Sequence, residues 1–187
     1  DSKVPVPDAE TNRVPVTGET ETTGGAGSAS LLADVVVIGV PGLRWSDVQA
    51  SPELTAVAQE FGIPVVTTLM GIGVYDTTEP LSLHMLGMHG TAFANYAVDD
   101  CDFLIAVGER FDDRVAGAPD RFARNAKWIA HLDVDASEIG KVKRVQWSHL
   151  GLLPAALDAM RAHAWRTAFR RDRSAWLTHL AALRQRH

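Results

Sequence analysis

Apolar positions along the chain alternate between two patterns. Four short, nearly unbroken apolar runs stand out: Asp34-Val-Val-Val-Ile-Gly39, Ile63-Pro-Val-Val-Thr-Thr68, Phe103-Leu-Ile-Ala-Val-Gly108 and Trp128-Ile-Ala-His-Leu-Asp133. Runs of this length with no polar side to offer water predict strands buried on both faces, as in a parallel sheet. Between them, apolar residues recur three and four apart. Ser51-Pro52-Glu53 opens one such stretch with a capping hydroxyl, a proline at the first helical position and an acid in the first turn. Its stripe is Leu54, Val57, Ala58 and Phe61, and Gly62 ends it. His89 to Val98 predicts a second helix, and 119–124 reads as a short helical or irregular connection. Val145-Gln-Trp-Ser148 predicts a fifth strand. Leu152 to Ala164 and Thr167 to Arg184 predict amphipathic helices whose apolar face is supplied by Trp165, Phe169, Trp176, Leu177 and Leu180. The expected fold is therefore α/β and doubly wound, a Rossmann-like, mostly parallel sheet of about five or six strands with helices on both faces.

Composition adds boundaries. Residues 1–30 are rich in Pro, Thr, Gly, Ser and Glu and poor in large apolar residues, which predicts a disordered tail or linker and a folded domain over 31–187. A chain of 187 residues, 46% hydrophobic, supports one core rather than several. The formal net charge of -5 argues against nucleic acid as the main partner. A single cysteine, Cys101, rules out a disulfide framework or a cysteine metal cluster. No apolar run approaches the ~20 residues that span a bilayer, and no export pattern opens the chain, so the expectation is a cytoplasmic protein without a membrane partner.

In a doubly wound sheet, ligands sit beyond the carboxyl ends of the strands. Three loops there carry chemistry. In Thr68-Leu-Met-Gly71 the glycine lets a ligand approach, or simply makes the turn. In Leu86-Gly-Met-His-Gly-Thr91, free N–H groups before a helix favour an anion or a carbonyl-rich ring. There Met88 can pack on a flat ring and His89 can donate to a ring oxygen; equally, Met88 is core filler and His89 a satisfied polar group. In Gly108-Glu-Arg-Phe-Asp-Asp-Arg114, two arginines can pair a diphosphate, with Asp112 and Asp113 orienting them or accepting from ligand hydroxyls. A self-contained Arg–Asp cluster is the alternative. Asp133 and Asp135 close the fourth run, where an acid can take ribose hydroxyls or stay solvated. Several chemistries find no support: there is no G-x-x-x-x-G-K-[ST] loop, no G-x-S-x-G elbow, no G-x-G-x-x-G after the first strand, and no helical zinc spacing between His84 and His89.

Taken together, Gly62-Ile-Pro-Val-Val-Thr-Thr-Leu-Met-Gly71, Leu81-Ser-Leu-His-Met-Leu-Gly-Met-His-Gly-Thr91, Ala94-Asn-Tyr-Ala-Val98, Arg110-Phe-Asp-Asp-Arg-Val115 and 131–141 (HLDVDASEIGK) closely resemble the central domain of acetohydroxyacid synthase, also called acetolactate synthase. The resemblance implies an enzyme of three α/β domains that condenses two 2-ketoacids, pyruvate with pyruvate or 2-ketobutyrate, in branched-chain amino acid biosynthesis. It implies thiamine diphosphate and magnesium held by the outer domains, and FAD held structurally, without net redox, by the central one. By that analogy Thr68, Leu69, Met70, Leu86, Gly87, Met88 and His89 meet the flavin and its ribityl chain. Gly108, Arg110, Asp112, Arg114 and Val115 lie along the ribityl and diphosphate, and Asp133, Val134 and Glu138 reach the adenosine end. Met88, Asp113 and Arg114 match positions lining the family's substrate channel. The implied partners are FAD and the thiamine-diphosphate-binding domains of the parent enzyme. No catalytic or metal-ligating residue is assigned to this chain.

Three departures bear on the ligand. Gly39-Val-Pro-Gly42 carries a proline where the family has a glycine-rich triplet, Ser148-His149-Leu150 replaces a usual Gly-Asp pair, and Glu109 replaces a small or apolar residue. No Gly-Asp-Gly metal motif occurs, so the chain alone is expected to be inactive. The alternative is a non-catalytic nucleotide-binding or interaction module that kept the fold without the ligand.

Overall fold

The computed structural model describes residues 34–38 as backbone, then residues 51–166 and 172–187. The expected tail over 1–30, the Gly39–Gly42 departure and Phe169 lie outside the described residues. Six strands and four helices follow in order: β1 Asp34–Ile38, α1 Pro52–Phe61, β2 Val65–Thr67, β3 Ser82–Met85, α2 Ala92–Asp100, β4 Phe103–Val107, β5 Trp128–Asp133, β6 Trp147–Leu150, α3 Leu153–Arg166 and α4 Ser174–Arg186. The strands form one sheet in the order β3-β2-β1-β4-β5-β6, and every pair is parallel. This is the doubly wound α/β architecture the apolar runs predict. Its switch in strand order falls between β1 and β4, where such sheets open a crevice at their carboxyl edge.

Local chemistry sets the helix ends. Ser51 accepts the Leu54 N–H, Pro52 takes the first helical position, and Gly62 closes α1 in the left-handed conformation. Thr91 accepts the Ala94 N–H at the start of α2. Strands β2, β4 and β5 are buried except at Phe103 and Trp128, where β4 and β5 begin, and each face of the sheet has its own core. On one face Leu54, Val57 and Phe61 of α1 and Leu157 of α3 cover Val65, Ile105 and Leu132. On the other, Ala94, Ala97 and Val98 of α2 and Trp176, Leu180 and Leu183 of α4 cover Val66, Leu104 and Ile129. Arg184 ties α4 to the sheet edge: it donates to the Ser82 carbonyl and lies over the Phe93 ring, 5.3 Å from its centroid.

The differences from the sequence expectation have physical reasons. β3 breaks the apolar-run rule. It is an edge strand of four residues, only half-buried at His84 and Met85, with His84 at φ 61 and a register shift against β2. β6 starts at Trp147, two residues later than expected, and is largely exposed as the other edge. Residues 119–124 form turns, the irregular one of the two forms expected there. α4 begins at Ser174 rather than Thr167.

Leu104 sits fully enclosed in the core between β4 and the α2–α4 layer. Leu104→Ala should cost about 2–5 kcal/mol, read as a lowered urea midpoint with an unchanged denaturant slope.

Candidate functional site

The carboxyl ends of β2, β3 and β4 converge on one cavity of about 530 Å3, lined by Thr68, Leu69, Met70, Met85, Leu86, Met88, His89, Gly108, Glu109, Arg110, Asp112, Arg114 and Val115. That volume lies within the roughly 300–1,000 Å3 of small-molecule sites.

The first wall follows β2. Buried Thr68 caps a single 3-10 turn, Leu69–Gly71, by accepting the Gly71 N–H at 3.2 Å. The turn pushes Leu69 and Met70 into solvent at the rim, each more than half exposed. Across from them Met88 is 61% exposed. Three large apolar side chains held out of the core around one opening make an apolar lip of the sort that flat rings cover.

The second wall is the β3–α2 loop, built from backbone contacts. The Leu86 N–H donates to the Thr67 carbonyl, and the Met88 N–H to the Arg114 carbonyl at 2.9 Å. Gly87 adopts φ +92, and a Cβ there would collide with that same Arg114 carbonyl. A Cβ on Gly90 would strike the backbone of Met85 and Leu86. The Asn95 side chain clamps the loop from α2: its oxygen accepts the Gly87 N–H, and its nitrogen donates to the Gly87 and Thr91 carbonyls. The expectation of free N–H groups here is corrected. Those of Gly87, Met88, Gly90 and Thr91 all donate within the protein, because the loop must fold tightly enough to reach the next one. His89 is exposed on the cavity side.

The third wall follows β4. Phe111 is buried at φ 53, a left-handed conformation uncommon for an aromatic residue, with its ring edge-on to Phe122 and His131. Asp112 closes a turn, its carboxylate accepting the N–H groups of Arg114 and Val115. It orients backbone rather than guanidinium, so that part of the sequence expectation is also corrected. Arg114 lies 3.9 Å from Asp113, both mostly exposed, a pairing that contributes little and leaves the guanidinium free to move. It also meets the Met88 sulfur at 3.7 Å. Arg110 is exposed and has no ion pair among the described residues.

The structure thus brings eleven of the fifteen expected cofactor residues to one cavity: Thr68, Leu69, Met70, Leu86, Met88, His89, Gly108, Arg110, Asp112, Arg114 and Val115. Gly87 and Asp113 lie on an adjoining depression that shares Met88, Arg114 and Val115. Asp133, Val134 and Glu138 do not line the main cavity. Asp133 is buried at the end of β5, where its carboxylate accepts the Asp135 N–H, Val134 is exposed, and Glu138 pairs with Lys141 at 3.0 Å. Sequence reasoning missed Asn95 and Met85 as parts of the site. A polar residue facing back across the first turn of a capped helix is a usable signal for the first; the second carries none.

Beneath the cavity lies a buried polar layer. Glu109 is 2% exposed; its Oε1 accepts the Phe111 N–H at 2.7 Å, and its Oε2 has no hydrogen-bond partner among the described residues. Burial pushes the Glu109 carboxyl up to about 7, against the opposing pull of the Phe111 N–H, with Asp112 adding to the rise. His131 is fully buried with Nε2 3.7 Å from Asp133 Oδ2, beyond hydrogen-bonding range. Burial lowers its pKa, while Asp133, the Glu109 backbone and Glu138 pull the other way. Among the described residues no group of three His, Cys, Asp or Glu side chains can hold a metal ion, and no helix is long and apolar enough to cross a membrane.

The sequence that forms this sheet and its cavity loops matches that of the thiamine pyrophosphate enzyme central domain. The chain belongs to that family, whose sequence model matches residues 33–160. Its relatives bear out the resemblance to acetolactate synthase. It is 54% identical over 110 residues, 59% of this chain, to the probable acetolactate synthase 2, chloroplastic, of Oryza sativa subsp. japonica. It is 45% identical over 139 residues, 74% of this chain, to the acetolactate synthase large subunit of Parasynechococcus marenigrum (strain WH8102). It is 52% identical over 111 residues, 59% of this chain, to the acetolactate synthase, chloroplastic, of Arabidopsis thaliana. The aligned segments span 16%, 22% and 16% of those three proteins.

Glu109 generates a stability prediction. A carboxyl whose folded value, about 7, stands above its ordinary 4.5 holds its proton longer in the folded state. The folded state is therefore favoured below the ordinary value, and that advantage is lost as pH rises through about 7. Glu109→Gln removes the charge and keeps an acceptor for Phe111. It should be more stable than the parent at about pH 8.5 by roughly 3 kcal/mol and near parity at about pH 4.5, read from urea unfolding at both.

Proposed function

We propose that this chain is the flavin-nucleotide-holding central part of an acetolactate-synthase-type enzyme, and that the cavity between β2, β3 and β4 takes the isoalloxazine and ribityl portion of FAD. The observation that carries the proposal is the convergence of an apolar lip, a glycine cradle and an exposed cation on one opening. Leu69, Met70 and Met88 offer exposed apolar surface to a flat ring. The missing Cβ of Gly87 lets two loops close behind it. Arg110 and Arg114 stand exposed on the same wall, where guanidinium groups pair phosphate oxygens. Bound there, the flavin serves as a structural element of the site without net electron transfer. Asp133, Val134 and Glu138 are proposed for the adenosine end, reached along the sheet edge past β4. Met88, Asp113 and Arg114 face the adjoining depression and are proposed to border the substrate channel of the assembled enzyme.

The thiazolium chemistry that joins two 2-ketoacids is proposed to reside, with thiamine diphosphate and magnesium, on other domains of the full enzyme. The chain's own residues are proposed to hold and orient; none of the described ones is assigned a proton transfer on a ketoacid. A cytoplasmic location is proposed for the chain, whereas two of the three relatives above carry "chloroplastic" in their names.

Titration of the purified chain with FAD, followed by flavin fluorescence and by the melting temperature, tests the reading. The expected result is saturable binding and a raised melting temperature, with Arg110→Ala weakening binding about tenfold, the loss of one charge-assisted contact. No binding and no melting shift would favour instead a module that kept the fold and lost the ligand. Pyruvate incubated with the 187-residue chain, FAD, thiamine diphosphate and magnesium should yield no acetolactate; turnover would refute the assignment of the chemistry to other domains.

A further inference from the structure

Glu109 is out of keeping with its surroundings. It lines the cavity between Gly108 and Arg110, on the wall proposed for the ribityl and diphosphate, yet its side chain is buried and Oε2 has no hydrogen-bond partner among the described residues. An ionised carboxylate there would repel an entering phosphate at short range in a site with little water. A neutral carboxyl would instead offer a hydrogen-bond donor at Oε2. The rest of the side chain is already fixed, because Oε1 accepts the Phe111 N–H at 2.7 Å and Phe111 is locked between Phe122 and His131.

We infer that Glu109 is a ligand-contacting residue that donates its carboxyl proton to an oxygen of a bound phosphate or polyol, so that filling the cavity with an anionic nucleotide is coupled to proton uptake. The groups facing it leave it the natural proton carrier. On its own loop Arg110 and Asp112 act in opposite directions. On β5, burial pushes His131 toward its neutral form against the pull of Asp133, buried beside it, and of Glu138. Across the cavity His89 and Arg114 are exposed. The ordinary value is already displaced to about 7, so the proton is present or absent over a physiological range before any ligand arrives.

The inference rests on the flavin-nucleotide reading for its choice of probe, and two probes separate their failures. Binding of FAD and of ADP to the parent chain and to Glu109→Gln is measured at about pH 6 and about pH 8.5. The parent is expected to lose affinity about tenfold or more across this interval, and Glu109→Gln, whose amide nitrogen donates at every pH, to change less than about twofold and to bind more tightly than the parent at the upper pH. Calorimetry of the parent in two buffers of different ionisation enthalpy at about pH 7.5 should show net proton uptake that Glu109→Gln lacks. A merely structural Glu109 would leave the two pH profiles parallel, and parallel profiles overturn the inference. Proton-linked ADP binding without FAD binding overturns the flavin reading and upholds the Glu109 assignment. Binding of neither probe at about pH 6 overturns both.

Discussion

The site depends on one close approach of two backbones. The Met88 N–H reaches the Arg114 carbonyl at 2.9 Å, and this is possible because Gly87 presents no Cβ to that same carbonyl. The contact joins the loop after β3 to the loop after β4, which are separated in the sheet by β2 and β1. Without it the two loops would be independent surface segments. With it they become facing walls, and the space between them is the cavity. Asn95 secures the arrangement from α2 by holding both the N–H and the carbonyl of Gly87, so the loop cannot relax without breaking three side-chain hydrogen bonds as well. A left-handed glycine, an amide clamp and a helix cap at Thr91 therefore act as one unit.

That closure has an electrostatic consequence. The β4 loop must turn sharply to bring Arg114 back toward Met88, and the turn places Phe111 in the left-handed region and directs Glu109 inward. Directly beneath, β5 contributes His131 and Asp133, both buried. Three titratable side chains thus share a region where solvation is poor, and in two of them burial moves the proton affinity: the Glu109 carboxyl up, the His131 imidazole down. Burial disfavours the charged form of both Glu109 and His131. This is consistent with the absence, among the described residues, of any acid or histidine grouping fit for a metal, and with a cavity that presents its cations, Arg110 and Arg114, only at the exposed rim.

Much of this was legible in the residues, and the exceptions share a cause. Buried central strands announce themselves because both faces are apolar, and α1 because its stripe, cap and stop all agree, so the class of fold follows from β1, β2, β4, β5 and α1. β3 and β6 escape that logic as edges: one face or one side meets water, the apolar run shortens, and register is set by neighbours. In the site, residue type pointed correctly to the corners that converge, yet not to what each polar group does. Asp112 reads as a partner for arginine and proves to be a turn cap; four of the N–H groups before α2 read as free and are spent on backbone carbonyls and the Asn95 side chain. Such roles depend on backbone paths between segments distant in sequence, which no local pattern encodes. The Met88 N–H is the clearest case, since its partner Arg114 lies beyond α2 and β4.

The division of labour between core and cavity explains how so many side chains can be held ready for a ligand. Each face of the sheet is closed by its own helix pair and its own apolar cluster, and neither cluster draws on Leu69, Met70, Met88, Arg110 or Arg114. The fold therefore does not depend on packing these residues, and their exposure in the absence of a ligand is the cost of keeping the opening apolar and cationic. Glu109 is different: it is buried like a core residue but charged like a surface one, and nothing in either cluster requires it. A residue that penalises the fold near neutral pH and lines the cavity is best understood as belonging to the cavity's chemistry rather than to the scaffold's. The same reasoning separates it from His131, whose ring packs edge-on against Phe111 and so contributes to the scaffold whatever its protonation.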